Sequence, residues 1–279
     1  MSLPENLRKG QLGRWLVALI LAVPTLVAIF SANNIWLYLL TLAIGAIVWW
    51  EYCVNVFGSA RVGLMCLSAL GWAAMMTGAY RYSLEGLLLG FVLALVLGAF
   101  YFMGVLAEGK DTISFNLISR YGLGHFYLSL TLPFVYLIKT LENGSRLLFF
   151  LILVTSLADT GAIYVGKRFK GPKLFVKVSP NKTISGLLGG CALATVAGGL
   201  SIYYLPADAF AFPELLLVSL GIALVGAFGD LFESAIKRAV GVKDTSTLLL
   251  GHGGFWDRLD SLLFNLPLFY FYVFWKQLP

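Results

Sequence analysis

Charge is scarce in this chain. Only 12% of its 279 residues are Asp, Glu, Lys or Arg, against 59% hydrophobic, and the mean hydropathy is +0.85. That balance excludes an ordinary soluble domain and places the chain in the membrane class. Cysteine is scarcer still. Cys53, Cys66 and Cys191 stand in or beside apolar segments without metal-ligand spacing, which leaves them as small buried hydrophobes. Of the two histidines, His125 has no carboxylate or cysteine near it and reads as a packed or interfacial residue. Strand-like alternation is missing from the long apolar runs, so a barrel is disfavoured. No clear repeat, low-complexity tract or self-sufficient soluble domain is present.

What the chain has in quantity is apolar length. A spanning helix needs roughly 20 mostly apolar residues, and suitable runs lie at about 15–32, 35–50, 62–80, 86–106, 122–139, 147–166, 184–205, 214–230 and 261–275. The expected fold is therefore all-α: a polytopic integral membrane bundle of about nine transmembrane helices. The first run is long for a signal core and no small-residue cleavage site follows it, so it reads as a retained span. With the N-terminus in the cytoplasm, Arg8, Lys9, Arg14, Arg61, Lys110, Arg120, Lys167, Arg168, Lys170, Lys173, Lys177, Lys182, Lys237, Arg238, Lys243 and Arg258 fall inside, and only Arg81, Lys139, Arg146 and Lys276 outside. The net charge of +6 is then topology rather than a nucleic-acid footprint. The division is into N-terminal transmembrane helices, 1–145, and a C-terminal catalytic region, 146–279, whose polar loops at about 167–183 and 231–260 both face the cytoplasm.

The polar chemistry gathers in those loops. Asp159 comes late in "LFFLILVTSLADT", where a charge costs at least about 2.5–3.5 kcal/mol and needs a partner, a wet cavity or a cation. Gly161 just after it admits a ligand or a neighbouring backbone. Lys167 and its basic neighbours suit anionic headgroups, while "SPNKTISGLLGG" places Ser179, Lys182 and Thr183 before a helix start, a reasonable phosphate cradle that is not a Walker sequence. In the first half, Glu51 of "WWEYC" either reaches the interface or serves a site, and its position in the sequence does not decide.

In "GDLFESAIKR", Asp230, Glu233, Ser234 and Lys237 share one helical face, and Leu231, Phe232, Ala235 and Ile236 are left for packing. Glu233 and Lys237 at i,i+4 read as an ordinary ion pair. Lys243 and Asp244 follow, then "GHGGFWDRLDS". On a helix Asp257 and Asp260 converge on one side with Arg258 turned away, and Gly253 and Gly254 permit a tight path against phosphate oxygens. His252 is open between acid/base, phosphate donor and turn residue. Carboxylates gathered without His or Cys suit a hard cation such as Mg²⁺. Oxygen-ligated metal beside several cations is the combination that phosphoryl and nucleotidyl transfer need. The residues by themselves stop at metal-dependent phosphate chemistry on a lipid-accessible substrate; a cation transporter fits the carboxylates but leaves the cationic and HGG-containing loops without a use.

The stretch "SAIKRAVGVKDTSTLLLGHGGFWDRLD" resembles the signature of the phosphatidate cytidylyltransferase (CDP-diacylglycerol synthase) family. Ser234, Lys237, Arg238, Lys243, Asp244, His252, Gly253, Gly254, Asp257, Arg258 and Asp260 match it in spacing, and "ADTGAIYVGK…KVSPNKT…G" is similar as well. Leu250, Ser246 and Ser185 depart from the pattern. The resemblance implies transfer of cytidylyl from CTP to phosphatidic acid at the cytoplasmic face of the cell membrane, a bacterial inner membrane, with no nucleic-acid partner. It also implies Mg²⁺ on Asp230, Asp244, Asp257 and Asp260, with a second cation and a homodimer left open. Lys182, Lys237, Arg238, Lys243 and Arg258 would bind phosphates, and Ser179 and Thr183 would orient them. Asp159, Lys167, Ser234, His252, Gly253 and Gly254 complete the expected substrate site.

Overall fold

The computed structural model describes residues 11–58, 62–107, 115–206, 209–249 and 253–278, with side chains from residue 19 onward. The order is α1 (Gln11–Phe30), α2 (Ile35–Val56), α3 (Val62–Ala107), α4 (Phe115–Gly124), a π-helical turn His125–Ser129, α5 (Phe134–Thr140), α6 (Gly144–Phe169), a hairpin of β1 (Lys173–Phe175) and β2 (Ser179–Thr183), α7 (Ile184–Leu200), α8 (Phe212–Ala239), α9 (Trp256–Leu263) and α10 (Asn265–Gln277). The expected apolar runs are largely helical; that at 122–139 is broken by turn residues 130–133. Among the described residues six helical segments are long and apolar enough to cross a membrane: Ile35–Val56, Val62–Ala107, Phe115–Thr140, Gly144–Phe169, Ile184–Tyr203 and Phe212–Ala239. The count differs from nine for local reasons. Helix α3 holds two expected runs, joined at Tyr82 and Ser83, where the backbone leaves helical geometry. The last run is split into α9 and α10, and only Leu19–Phe30 of the first counts among the shorter apolar helices.

The chain forms two compact units, the first up to Leu137 plus Asp244–Arg258, the second Ile138–Lys243 plus Leu259 onward. In the first, the halves of α3 run back along each other, and glycine makes that possible: a Cβ on Gly78 would stand 2.2 Å from Gly86 O, and one on Gly90 2.8 Å from Met75 Cα. Trp49, Tyr52, Trp72, Met75, Met76 and Tyr127 form the buried centre. His125 is packed there, fully buried, with Nδ1 3.1 Å from Ser129 Oγ, which also accepts from Trp49 Nε1 at 2.5 Å. Cys53 and Cys191 are buried as expected; Cys66 is not, and lies on the outer surface of α3, where a small thiol is tolerated against lipid.

In the second unit α6 and α7 pack at backbone distance. A Cβ on Gly161 would lie 2.6 Å from Gly189 O, and one on Gly190 2.8 Å from Ala158 O, so Gly161 serves a neighbouring helix. Thr183 caps α7, its Oγ1 accepting from Gly186 N at 3.1 Å. The antiparallel hairpin joins the ends of α6 and α7, pairing Lys173 with Thr183 and Phe175 with Ser179.

Candidate active site

The sharpest constellation lies in the second unit. Gly229 leaves room on α8 for the backbone of α9, since a Cβ there would meet Asp260 O at 2.5 Å. That approach sets Asp260 beside Asp230, the next residue of α8, and Glu233 follows one turn later. One oxygen from each of Asp230, Glu233 and Asp260 lies within 4.8 Å of the others. The donor set is all carboxylate, which suits a hard divalent cation. Lys182, delivered by β2, places Nζ 2.6 Å from Asp230 Oδ2 and supplies a protein cation at the cluster.

Around these groups, Ser234 Oγ donates to Asp230 Oδ1 at 3.5 Å. Ser261 N donates to Asp260 Oδ1 at 2.7 Å, and Ser261 Oγ reaches Asp159 Oδ1 at 3.2 Å and Asp260 Oδ1 at 3.4 Å, one hydrogen shared by two acceptors. Asp159 is thereby tied to the cluster from α6. Asp260 lies outside the six apolar segments. Burial, then the Asp230 charge, push its carboxyl up to about 8; Asp159 adds to this, and Ser261 N–H and Lys182 oppose it.

The face of α8 that carries this chemistry points inward. Glu233, Ser234 and Lys237 are buried, whereas Leu231, Phe232, Ala235 and Ile236, expected as the packing side, are half-buried. The polar face shuns lipid, so the apolar side turns outward, the reverse of a soluble amphipathic helix. Lys237 Nζ is 2.7 Å from Glu233 Oε2. Both partners are buried, which sets the pair apart from a surface i,i+4 bridge.

The expected phosphate cradle is differently built. Thr183 Oγ1 is engaged as the cap of α7 and lies 3.1 Å from Ser185 Oγ, which itself donates to Lys170 O and ties the hairpin's two ends. Ser185, a departure from the family pattern, thus has a local task. Ser179 is half-buried and Lys167 exposed.

In the first unit the loop before α9 is organised by Asp257. Its Oδ2 accepts from Thr245 N at 3.1 Å, Thr245 Oγ1 at 3.0 Å and Gly254 N at 2.7 Å. Gly253 has φ +78°, and a Cβ on it would stand 2.4 Å from Asp257 Oδ2. One on Gly254 would meet Thr245 Oγ1 at 2.2 Å. These glycines answer to the loop's own packing. Asp244 and Arg258 of this unit are exposed, and so are Arg238 and Lys243 of the second; Arg238 Nη1 donates to Val242 O at 2.9 Å. His252 lies outside the described residues.

Of the four aspartates expected at one metal, then, Asp230 and Asp260 meet in the second unit, while Asp244 and Asp257 belong to the first. Glu233 takes a place in the cluster that its reading as an ion pair did not give it, although its spacing from Asp230 was the available signal. Ser261 carried no signal of its own. Glu51, left undecided by the sequence, is fully buried against the Asp257 loop.

A family model described as the cytidylyltransferase family matches residues 13–275. The chain is 37% identical over 164 residues to the phosphatidate cytidylyltransferase of Bacillus subtilis (strain 168), 58% of this chain and 60% of that one. It is 39% identical over 157 residues to the protein of that name from Aquifex aeolicus (strain VF5), 54% and 58% of the two chains. Against that of Helicobacter pylori (strain J99) it is 44% identical over 140 residues, 49% and 52%. The chain thus spans between about half and three fifths of the length of these relatives.

Proposed function

The chain belongs to the cytidylyltransferase family, and on that premise we propose that it transfers the cytidylyl group of CTP to phosphatidic acid at the cytoplasmic face of the cell membrane. The observation that carries this reading is the carboxylate cluster of Asp230, Glu233 and Asp260 with Lys182 on its edge. In the reaction a phosphate oxygen of phosphatidic acid attacks the α-phosphorus of CTP. A new P–O–P bond forms as the α–β bridging bond breaks, giving CDP-diacylglycerol and pyrophosphate. No protein nucleophile is needed, because the lipid phosphate is ionised at neutral pH.

The residues present fit a magnesium ion: three hard oxygen donors and no nitrogen or sulfur ligand, with a lysine ammonium already satisfying part of their charge. Asp230, Glu233 and Asp260 would hold it. Bound there, Mg²⁺ supplies charge neutralisation for phosphate oxygens. Lys237 keeps the Glu233 carboxylate in place. Ser234 and Ser261 orient Asp230 and Asp260 by hydrogen bonds. Lys182 turns its ammonium to phosphate when the carboxylates are otherwise neutralised. Exposed Lys243, Arg238 and Arg258 neutralise the triphosphate, and Asp257 shapes the loop. The cytoplasmic placement is supported by the concentration of Lys and Arg in the loops that carry these groups.

The test is release of pyrophosphate in detergent from CTP and phosphatidic acid, with and without Mg²⁺. Asp230→Asn is expected to lose at least about a hundredfold in turnover; wild-type rates in that variant would overturn the reading.

A further inference from the structure

Glu51 is a carboxylate with no solvent exposure near the end of α2, inside an apolar segment long enough to cross a membrane. Such a group costs at least about 2.5–3.5 kcal/mol to place there unless its lone pairs are matched. Here four donors match them. Oε1 accepts from Ser246 Oγ at 2.5 Å and Phe255 N at 3.0 Å; Oε2 accepts from Trp256 N at 2.8 Å and Thr245 Oγ1 at 3.3 Å. All four donors come from the two ends of one loop. Asn55, one turn further on α2, adds a fifth tie, donating from Nδ2 to Thr245 O at 2.7 Å. Thr245 Oγ1 stands between Glu51 and Asp257, 3.3 and 3.0 Å away, so the two carboxylates share its hydrogen. The second glycine of the HGG sequence is fitted against the same group: a Cβ on Gly254 would lie 2.4 Å from Glu51 Oε1.

We propose that Glu51 is a positioning residue for nucleotide binding: its carboxylate clasps residues 245–246 to 254–256 and so fixes the start of α9, where the exposed Arg258 meets the CTP triphosphate. This rests on the transferase reading above. Nothing in the geometry would be needed merely to close a loop against a helix, since apolar packing does that without burying a charge. What a carboxylate adds is a fixed direction for two successive backbone N–H groups, Phe255 and Trp256, at the start of α9. Ser246, a departure from the family signature, is the donor this chain supplies in addition.

The clasp has a chemical requirement that makes it testable. Each oxygen of Glu51 faces a backbone N–H that cannot turn away, so Glu51→Gln puts its amide NH₂ against a donor whichever way it is flipped. Glu51→Gln is expected to raise KM and Kd for CTP about tenfold or more, leave KM for phosphatidic acid within twofold, and speed amide hydrogen exchange at 254–256 without changing it in α2. Ser246→Ala, which removes one donor and keeps the carboxylate, is expected to raise KM for CTP about threefold, and carries the test if Glu51→Gln does not fold. Unchanged CTP affinity in the folded Gln variant, or unchanged KM in Ser246→Ala if the former fails to fold, overturns the role. A wild-type protein that binds CTP without releasing pyrophosphate overturns the transferase reading instead, and the CTP affinities of wild type and variant still decide the role of Glu51.

Discussion

Lys182 Nζ lies 2.6 Å from Asp230 Oδ2, joining the β-hairpin to helix α8 at the edge of a three-carboxylate cluster. The ammonium and a divalent ion would answer the same negative charge, so they compete for it. The lysine is part-buried and held by a strand that ends in the Thr183 cap of α7, which limits how far it can retreat.

Replacing this lysine is therefore expected to act in opposite directions on ion and substrate. In Lys182→Met, Mg²⁺ binding to protein without nucleotide should tighten about three- to tenfold, while turnover falls at least about a hundredfold. Titration calorimetry in detergent reads the first and pyrophosphate release the second. Equal Mg²⁺ affinity in variant and wild type would show that Lys182 does not share charge with the ion.

The carboxylates should divide by unit. Asp230→Asn, Glu233→Gln and Asp260→Asn are each expected to weaken Mn²⁺ binding, followed by electron paramagnetic resonance, at least about tenfold. Asp257→Asn is expected in addition to loosen the loop before α9, because Asp257 Oδ2 accepts from Thr245 N, Thr245 Oγ1 and Gly254 N. Glu233→Gln should also lower stability, since it removes the charge that faces buried Lys237 at 2.7 Å. Normal ion affinity in Asp230→Asn together with loss in Asp257→Asn would move the metal to the other loop.

Asp260 would give the proposed ion site a pH dependence. Its carboxyl is raised to about 8 by burial and by Asp230, so below that pH the cation must displace a proton. Mg²⁺ affinity is expected to rise about tenfold per pH unit up to that point and level off above it. The ion-free protein should show the matching trend. Between the unfolded value near about 4 and the folded one, the native state holds the extra proton, so stability falls as pH rises through this window. Thermal unfolding in chelator from pH 6 to 9 checks this, and an Mg²⁺ affinity flat over that range counts against Asp260 as a ligand.

Much of this was legible in the sequence because hydrophobic length and polar spacing are local properties. The apolar runs are largely helical, and the i,i+3 spacing of Asp230 and Glu233 already placed both on one face. Two things were not legible. A glycine's neighbour is not written beside it: Gly229 reveals its use only when Asp260 O stands 2.5 Å from its would-be Cβ. Glu51 and its partners are some 200 residues apart, and helical periodicity says nothing about that pairing. The sequence also gives two packing solutions for an amphipathic helix, inward or outward, and lipid selects the one that buries Glu233 and Lys237.

Gly254 offers the cleanest separation of site packing from backbone propensity. A Cβ there would stand 2.2 Å from Thr245 Oγ1 and 2.4 Å from Glu51 Oε1, and neither can step aside without giving up hydrogen bonds to Asp257, Ser246 or Phe255. Gly221, within α8, has nothing within 4 Å of its would-be Cβ. Alanine at Gly221 should therefore be neutral or gain up to about 1 kcal/mol from helix propensity. Alanine at Gly254 should cost at least about 2 kcal/mol through overpacking and unpaired donors and raise KM for CTP in parallel with Glu51→Gln. Thermal unfolding and CTP kinetics on the two variants side by side decide it. If Gly254→Ala matched Gly221→Ala in both, the loop would be looser than the Glu51 clasp requires.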